Sequence, residues 1–290
     1  MGALRRRVGQ IARIPAKMWN HGLLWSARRN DVANWAELWS LSNPIRLVAE
    51  KRLHGSGSTK DVLVRFRKGL SLAVDSSMRE ALAGLVDTYP AYMRNLGISL
   101  VPGDVVIDVG AHVGAFSVPA LFDNPGIKIL AFEPDPQNFR LLKENAARNG
   151  LDGNHLLTYN LAVANTEEDL MFARGRTSTT GSVARAGFFK ASPDSEMVVV
   201  STTTIENIFR QHAIDVCRLL KVDCEGSEYE ILGRLSDATL ARIENIIVEV
   251  HPARVGNPAD LKAVLETKGF EVIEHRHANG CSDLYCHRPV

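Results

Sequence analysis

Cysteine, net charge and long apolar segments are all scarce in this sequence. Four cysteines among 290 residues are too few for a disulfide framework, and they lack the paired CxxC spacing of structural zinc sites. The formal net charge is only +1, so no overall field attracts the protein to nucleic acid or to an anionic membrane. No segment is long and apolar enough for a transmembrane helix, and residues 5–7, all arginine, are not followed by the apolar core of a secretory signal. These absences predict a reducing, cytoplasmic location and no nucleic-acid partner.

Positive charge and tryptophan are concentrated at the N-terminus. Residues 1–30 contain seven Lys/Arg and no Asp or Glu, and the four tryptophans are Trp19, Trp25, Trp35 and Trp39. We predict a basic helical extension over residues 1–60, ending in the flexible stretch "HGSGSTK". A weak membrane-surface contact by residues 1–30, a homo-oligomer surface, a lid over a ligand pocket and a transit peptide remain alternatives for this extension.

The rest of the chain, residues 61–290, predicts a single α/β domain. It opens with "DVLVRFRKGLSLAVD", in which apolar and polar residues alternate on both sides of Lys68-Gly69. This pattern is typical of a β-hairpin. A helix follows, which we expect to break near Pro90. Strands then alternate with helices, which indicates a mostly parallel sheet with helices on both faces. The predicted strands are 105–109, 129–133, 155–163, 219–223, 246–249, 271–275 and 284–287, and the clearest helices are 136–149, 228–234 and 258–268.

The segment "VVIDVGAHVGAFS" places an acid and two glycines where a strand ends and a helix begins. Gly110 and Gly114 allow a sharp turn and a close approach of the backbone to a ligand, and a helix beginning near Gly114 favours an anionic group. The D-x-G-x-x-x-G spacing departs from the dinucleotide fingerprint. Asp108 suits a ligand with an ammonium group. S-adenosylmethionine carries both an ammonium and a carboxylate, so the loop favours this cofactor.

A second acid follows the next predicted strand. "ILAFEPD" ends near Glu133, where a carboxylate can accept hydrogen bonds from both ribose hydroxyls of a nucleoside. Pro134 and Pro136 stop the strand and open the helix "PQNFRLLKENAARNG". The two motifs together predict a nucleoside-containing cofactor.

With these motifs, the chain resembles the FkbM-type family of S-adenosylmethionine-dependent methyltransferases. The resemblance rests on "DVGAHVGAFS", "FEPDPQNFRLLKENAARN", "NLAVAN", "STTTIENIF", "LLKVDCEGSEYEIL" and "IIVEVHP". His112 departs from the pattern, since the family usually has asparagine there. The resemblance implies a Rossmann-like class I methyltransferase fold, with a seven-stranded, mostly parallel sheet whose last strand is antiparallel, and S-adenosyl-L-methionine as cofactor. The cofactor-binding residues expected on this basis are Asp108, Gly110, His112, Gly114, Phe116, Ser117, Glu133, Pro134, Asn138, Ala162 and Asp223.

Methyl transfer to oxygen requires removal of the acceptor's proton, because a neutral alcohol is a weak nucleophile. The segments "KVDCEGSE" and "EVH" supply several titratable groups. We expect His251 to be the base, since the ordinary pKa of histidine is near working pH, with Asp223 as second candidate and Glu249 beside them. An alternative is that Asp223, Glu249 and His251 hold a divalent cation; we assign no metal ligand from the sequence.

The expected function is O-methylation of a hydroxyl on a sugar, a glycan or a small natural product. A non-catalytic methyltransferase-like binding or assembly module is the main alternative. A nicotinamide-dependent dehydrogenase is disfavoured by the glycine spacing. The polar insert "GRTSTTGSV", residues 175–183, is either a loop that closes over the ligands or an ordinary surface loop.

Overall fold

The computed structural model describes residue 42 and residues 61–75, 82–151, 153–174, 182–183, 196–251, 257–277 and 280–289. The predicted N-terminal extension, apart from Ser42, and residues 175–181 of the polar insert lie outside these residues. Among the described helices, none combines the length and the apolar character that a membrane span requires.

A β-hairpin and a helix precede the main sheet. The hairpin consists of β1 (Val62–Arg65) and β2 (Ser71–Val74), which pair antiparallel, and it confirms the predicted turn. Helix α1 (Leu82–Leu96) runs through Pro90, so the expected break is wrong. Tyr89 and Tyr92 on either side of Pro90 both pack against Phe116. This tertiary packing offsets the backbone hydrogen bond that proline removes.

Seven strands form the central sheet, and the predicted mostly parallel sheet with an antiparallel last strand is confirmed. The strands are β3 (Val105–Val109), β4 (Lys128–Phe132), β5 (Leu156–Tyr159), β11 (Leu219–Val222), β12 (Asn245–Val250), β13 (Glu271–Arg276) and β14 (Ser282–His287). Their order in the sheet is β13-β14-β12-β11-β3-β4-β5, in which β14 alone among these strands runs antiparallel to both of its neighbours.

The predicted strand over 155–163 is wrong as a single element. Its second half is a separate strand, β6 (Ala162–Val163), which pairs with β10 (Thr202–Thr203) outside the main sheet. A further small antiparallel sheet, with the order β8-β7-β9, contains Ser182–Val183, Leu170–Arg174 and Glu196–Val200. Arg174 Nε donates to Asp135 Oδ2 at 2.6 Å, which ties this small sheet to the segment after β4.

Helices cover both faces of the main sheet and enclose two apolar cores. Along β3, Val106 faces the core that holds α1 and the hairpin, and Ile107 faces the other core. Buried strands between two helical layers explain why these runs are continuously apolar. The other helices within the described residues are α2 (Ser117–Asp123), α3 (Pro136–Arg148), α4 (Ile205–Gln211), α5 (Glu228–Gly233), α6 (Asp237–Leu240) and α7 (Pro258–Thr267).

Candidate active site

The candidate site lies where the carboxyl ends of β3, β4, β11 and β12 meet. These four strands are parallel and include three adjacent pairs, β4 with β3, β3 with β11 and β11 with β12. Their following loops therefore share one edge of the sheet, which is where open α/β sheets bind ligands. The predicted site residues Gly110, Glu133, Asp223 and His251 all lie in these loops.

The glycine loop after β3 requires glycine for a reason that the sequence did not reveal. Gly110 has φ +75°, the left-handed region that favours glycine, and a Cβ atom there would lie 1.7 Å from the backbone oxygen of Asp223. The backbone of Gly110 therefore makes a close approach to the end of the neighbouring strand, β11, at Asp223. Gly114 has φ +85°, and its Cβ would lie 2.8 Å from side-chain atoms of both Leu142 and Val118.

Asp108 is fully buried and forms a polar network beneath the loop. Ser117 Oγ donates to Asp108 Oδ2 at 2.6 Å. Lys221 lies directly across the strand pair, with Nζ 3.1 Å from Asp108 Oδ1 but without the alignment of a hydrogen bond. The same Nζ donates to the carbonyl of Gly110 at 3.0 Å. These contacts turn the Asp108 carboxylate toward the protein's own groups, and they hold the glycine loop in place.

Lys221 is the counter-ion that sequence reasoning missed. Burial by itself lowers its pKa, but the charges of Asp108 and Asp223 outweigh burial and raise the pKa above its ordinary value. Lys221 is thus a paired ammonium and not a base. The available signal was a single lysine inside the apolar run "LLKV", because such a buried charge requires a partner.

Glu133 follows β4 and is anchored by backbone groups. Its carboxylate accepts from His112 N at 2.8 Å and from Asp135 N at 2.9 Å, and Asn138 Nδ2 lies 3.4 Å from Oε1. Burial raises the pKa of Glu133 to about 7, although the two backbone hydrogen bonds act in the opposite direction. The carbonyls of Glu133 and Pro134 both accept from Asn160. Glu133 therefore places an oriented carboxylate at the end of β4, with lone pairs that can still accept hydrogen bonds from a ligand.

His112 occupies a left-handed backbone position, with φ 53°. Asparagine and histidine are both enriched in this conformation, which explains how histidine replaces the usual asparagine. Burial lowers the pKa of His112 to about 4, so the ring is neutral at pH 7. Its Nε2 is buried and has no hydrogen-bond partner among the residues that the structure describes.

Two other residues expected at the cofactor lie in the apolar core. The ring of Phe116 packs edge-on against the ring of Tyr89, with 5.7 Å between the ring centroids, and lies tilted against the ring of Tyr92, with 6.3 Å between the centroids. Ala162 is buried in β6 beside Phe172 and Val200. Their side chains contribute to packing around the site.

His251 lies among carboxylates just after β12. Its Nδ1 is 3.0 Å from Oε1 of Glu228, a fully buried side chain, and its Nε2 lies 3.5 Å from Glu225 Oε2 and 3.8 Å from Glu249 Oε1. Burial lowers the pKa of His251, but the hydrogen bond and charge of Glu228 and the charge of Glu225 outweigh burial and raise the pKa to about 10. The ordinary pKa of a free histidine therefore does not apply to His251, since carboxylates surround the ring and hold its proton.

Two of these carboxyl groups, those of Glu249 and Glu225, have raised pKa values themselves. Burial, followed by the charge of Asp223, raises the pKa of Glu249 to about 7. Burial also raises the pKa of Glu225 to about 7, opposed by the charge of His251. Tyr92 in α1 donates to Glu249 Oε2 at 3.4 Å, so α1 covers this end of the site. Perturbed acids beside a cofactor loop are typical of catalytic sites.

The sheet order and the loops after β3 and β4 define a Rossmann-like class I methyltransferase. A family model described as "Methyltransferase FkbM domain" matches residues 108–272. This match spans more than half of the chain, so the chain belongs to the FkbM methyltransferase family. Its cofactor is S-adenosyl-L-methionine.

Named relatives share part of the sequence. The chain is 29% identical over 236 residues to the 31-O-demethyl-FK506 methyltransferase FkbM of Streptomyces tacrolimicus, covering 72% of this chain and 89% of the relative. It is 26% identical over 148 residues to the hexuronic acid methyltransferase AglP of Haloferax volcanii, covering 51% of this chain and 56% of the relative. A crystal structure of a methyltransferase FkbM from Methylobacillus flagellatus KT has a TM-score of 0.47 and 15% identity, covering 74% of this chain and 56% of that one.

Proposed function

We propose that the protein transfers the methyl group of S-adenosyl-L-methionine to a hydroxyl oxygen of a sugar, a glycan or a small natural product. The observation that carries this proposal is the acid-rich cluster of Asp223, Glu225, Glu249 and His251 at the same sheet edge as the glycine loop. An oxygen acceptor must lose a proton beside the methyl group, and such a cluster is suited to proton removal. The names of two relatives, a 31-O-demethyl-FK506 methyltransferase and a hexuronic acid methyltransferase, support the same acceptor classes.

For the cofactor, we propose that Glu133 binds the ribose hydroxyls. Its carboxylate is already oriented by two backbone N–H groups, so little ordering is needed on binding. We place His112 and Asn138 beside the ribose, because His112 donates its backbone N–H to Glu133 and Asn138 contacts the same carboxylate. The methionyl group then lies over Gly110 and Asp223, where the ends of β3 and β11 meet.

The chemistry is an in-line displacement that depends on alignment. The sulfonium already activates the methyl group, so the protein must hold the acceptor oxygen, the methyl carbon and the sulfur in one line. The oxygen–carbon bond forms as the carbon–sulfur bond breaks, and its electron pair stays on sulfur. The acceptor proton passes to a nearby base.

We propose Asp223 as that base in place of His251. Its carboxylate is only partly buried, follows β11 directly and lies 3.5 Å from the Lys221 ammonium. His251 carries a proton at neutral pH in the free protein, since its pKa is about 10. Asp223→Asn should reduce methyl transfer by ~10²–10⁴ with S-adenosylhomocysteine affinity changed only a few-fold. Unchanged methyl transfer in this variant would assign the base elsewhere.

Ligand binding followed by turnover tests the function. S-adenosylhomocysteine should raise the melting temperature and NAD should not, because only a bound ligand stabilises the fold. A screen of hydroxylated sugars and natural-product scaffolds, scored by S-adenosylhomocysteine release, should then identify an acceptor. Binding without turnover on any hydroxylated acceptor would favour the non-catalytic module. The cytoplasmic location, the membrane contact of residues 1–30 and a homo-oligomer remain predictions.

A further inference from the structure

The register of the last strands brings a cysteine opposite His251. In the antiparallel pair of β12 and β14, Val250 lies across from Ser282 and Glu249 lies across from Asp283. One residue beyond the last of these pairs on each strand are His251 and Cys281, whose side-chain ligand atoms lie within 4.8 Å of each other. Since side chains alternate between the faces of a sheet, Glu249, His251 and Cys281 project to the same side. Cys281 is buried, 30 residues beyond His251 in the sequence.

Three different donor atoms converge at this point. One ligand atom each from Glu249, His251 and Cys281 lies within 4.8 Å of the other two, and His251 Nε2 is 3.8 Å from Glu249 Oε1. Bonds of about 2.0–2.2 Å from a tetrahedral zinc ion place a nitrogen and an oxygen ligand about 3.4 Å apart. The observed nitrogen–oxygen distance of 3.8 Å is therefore only slightly longer than the distance expected around a bound ion.

Glu228 orients the histidine as a metal site requires. Its Oε1 accepts from the backbone N–H groups of Cys224 and Gly226 and lies 3.0 Å from His251 Nδ1. This contact leaves Nε2 as the ligand atom, and metal-bound histidines usually have their other nitrogen on such a carboxylate. The second oxygen of Glu228 is buried with no hydrogen-bond partner among the described residues.

The surrounding charge also favours a cation. Glu225 Oε2 lies 3.5 Å from Nε2 of His251, and Asp223 shares the Lys221 ammonium with Asp108. We propose that Glu249, His251 and Cys281 bind one zinc-type divalent cation, whose fourth position is open to the acceptor hydroxyl. A thiolate, an imidazole and a carboxylate together suit zinc, whereas magnesium prefers oxygen ligands only. This set replaces Asp223, which the sequence suggested as a ligand, with Cys281.

This inference rests on the proposed methyl transfer and adds how the hydroxyl is activated. The cation takes the place of the protons on Nε2 and on the thiol, which are released to solvent. It lowers the pKa of a bound hydroxyl, whose proton then passes to Asp223. The resulting oxygen attacks the methyl carbon, and the sulfur leaves with the bonding electron pair as a thioether.

Cobalt and zinc binding to the chelator-treated protein tests the site without any acceptor. One Co²⁺ per chain should bind with a thiolate-to-cobalt charge-transfer band in the near ultraviolet, and Zn²⁺ should displace it. Cys281→Ser should abolish the band and weaken Zn²⁺ binding by at least about tenfold, since loss of only an outer-shell partner of a metal ligand already has an effect of this size. Cys286→Ser is the matched control, because Cys286 lies in β14, which begins one residue after Cys281, and packs in the apolar core that contains Ile107.

S-adenosylhomocysteine affinity and circular dichroism of each variant show that the fold and the cofactor site remain. Absence of the charge-transfer band in the wild type, or an equal band in Cys281→Ser, overturns the metal site. If methyl transfer also persists in the chelated protein, only the metal site fails and the proposed function stands. Stoichiometric binding that Cys281→Ser abolishes supports the site even where the acceptor screen finds no turnover.

Discussion

Non-glycine residues with positive φ mark the loops of the candidate site. Within the described chain these are His112, Ala213 and Glu225, and two of the three lie in the site loops after β3 and β11. Left-handed backbone costs an ordinary side chain about 1–2 kcal/mol and persists only where its surroundings enforce it. At His112 the enforcement comes from the hydrogen bond of its N–H to Glu133. The left-handed backbone of His112 is thus maintained by Glu133, the carboxylate that we assign to the ribose.

The protonation of Glu133 predicts a pH dependence of cofactor binding. Because its pKa is raised to about 7, the carboxylate form, with its full set of acceptors, is present above that pH and lost below it. S-adenosylhomocysteine affinity, measured by calorimetry, should therefore rise from pH 6 to pH 8. Glu133→Gln should weaken binding by about 1–3 kcal/mol and remove this pH dependence. Glu144→Gln on the exposed face of α3 serves as control, and equal affinity in Glu133→Gln would remove Glu133 from the ribose site.

A side chain at Gly110 should cause a steric clash in addition to backbone strain. The same substitution at a second left-handed glycine measures the backbone strain alone. Gly110→Ala should abolish S-adenosylhomocysteine binding and lower the melting temperature, because its Cβ would lie 1.7 Å from the Asp223 backbone oxygen. Gly103→Ala is the control, since Gly103 has φ +97° but nothing within 4 Å of its Cβ. It should show only the cost of left-handed backbone, about 1–2 kcal/mol. If both variants bind the ligand normally, the end of β3 is not part of the site.

Between elements, Asn145 in α3 and Asn149, the residue that follows α3, join the hairpin to the site. Asn145 accepts from Ala73 N at 2.6 Å and donates to Ala73 O and to Val113 O, both at 2.8 Å. One fully buried amide thereby satisfies backbone groups of β2 and of the glycine loop. Asn149 makes the corresponding pair of bonds to Ser71. The hairpin is consequently a fixed part of the domain.

Removal of this amide should destabilise the domain more than a typical substitution. Asn145→Ala leaves three buried backbone groups without partners and should lower the free energy of unfolding by about 2–4 kcal/mol. Urea unfolding measures this change, and Glu144→Ala, at the preceding exposed position, should stay within about 0.5 kcal/mol of the wild type. A loss below about 1 kcal/mol in Asn145→Ala would show that the hairpin is not held by these bonds.

For the whole molecule, the acid-rich cluster predicts how stability varies with pH. The pKa of His251 is raised from 6.5 to about 10 in the folded protein. Its contribution to the stability of the fold is therefore fully present below pH 6.5 and is lost as pH rises toward 10. In the chelator-treated protein, the free energy of unfolding should fall between pH 7 and pH 9, by at most about 1.4 kcal/mol per pH unit.

His251→Gln should flatten this slope, and His287→Gln, at a half-exposed position, should leave it unchanged. Urea midpoints over the same pH range provide the measurement. A wild-type slope that survives in His251→Gln would place the titrating group outside the cluster.

Local sequence patterns determined the order of elements and the chemical type of the loops. The alternation about Lys68-Gly69, the strand–glycine–helix pattern at Asp108 and the proline stop after Glu133 all depend on neighbouring residues, and the hairpin, the sheet and the mostly parallel order are confirmed. Where packing between distant segments decided the outcome, the sequence was misleading. Helix α1 runs through Pro90 because Tyr89 and Tyr92 pack against Phe116, and β6 pairs with β10 instead of extending β5.

The electrostatics of the site were decided by the tertiary structure alone. Strand register pairs Lys221 with Asp108, 113 positions apart, and the pairing of β12 with β14 brings Cys281 close to His251 just beyond the last paired residues. Burial among Glu225, Glu228 and Glu249 converts a histidine expected to be a base into one that holds its proton. A sequence shows which groups can titrate or bind a cation. Their pKa values and partners depend on distances and burial, which arise only when segments far apart in the chain are brought together.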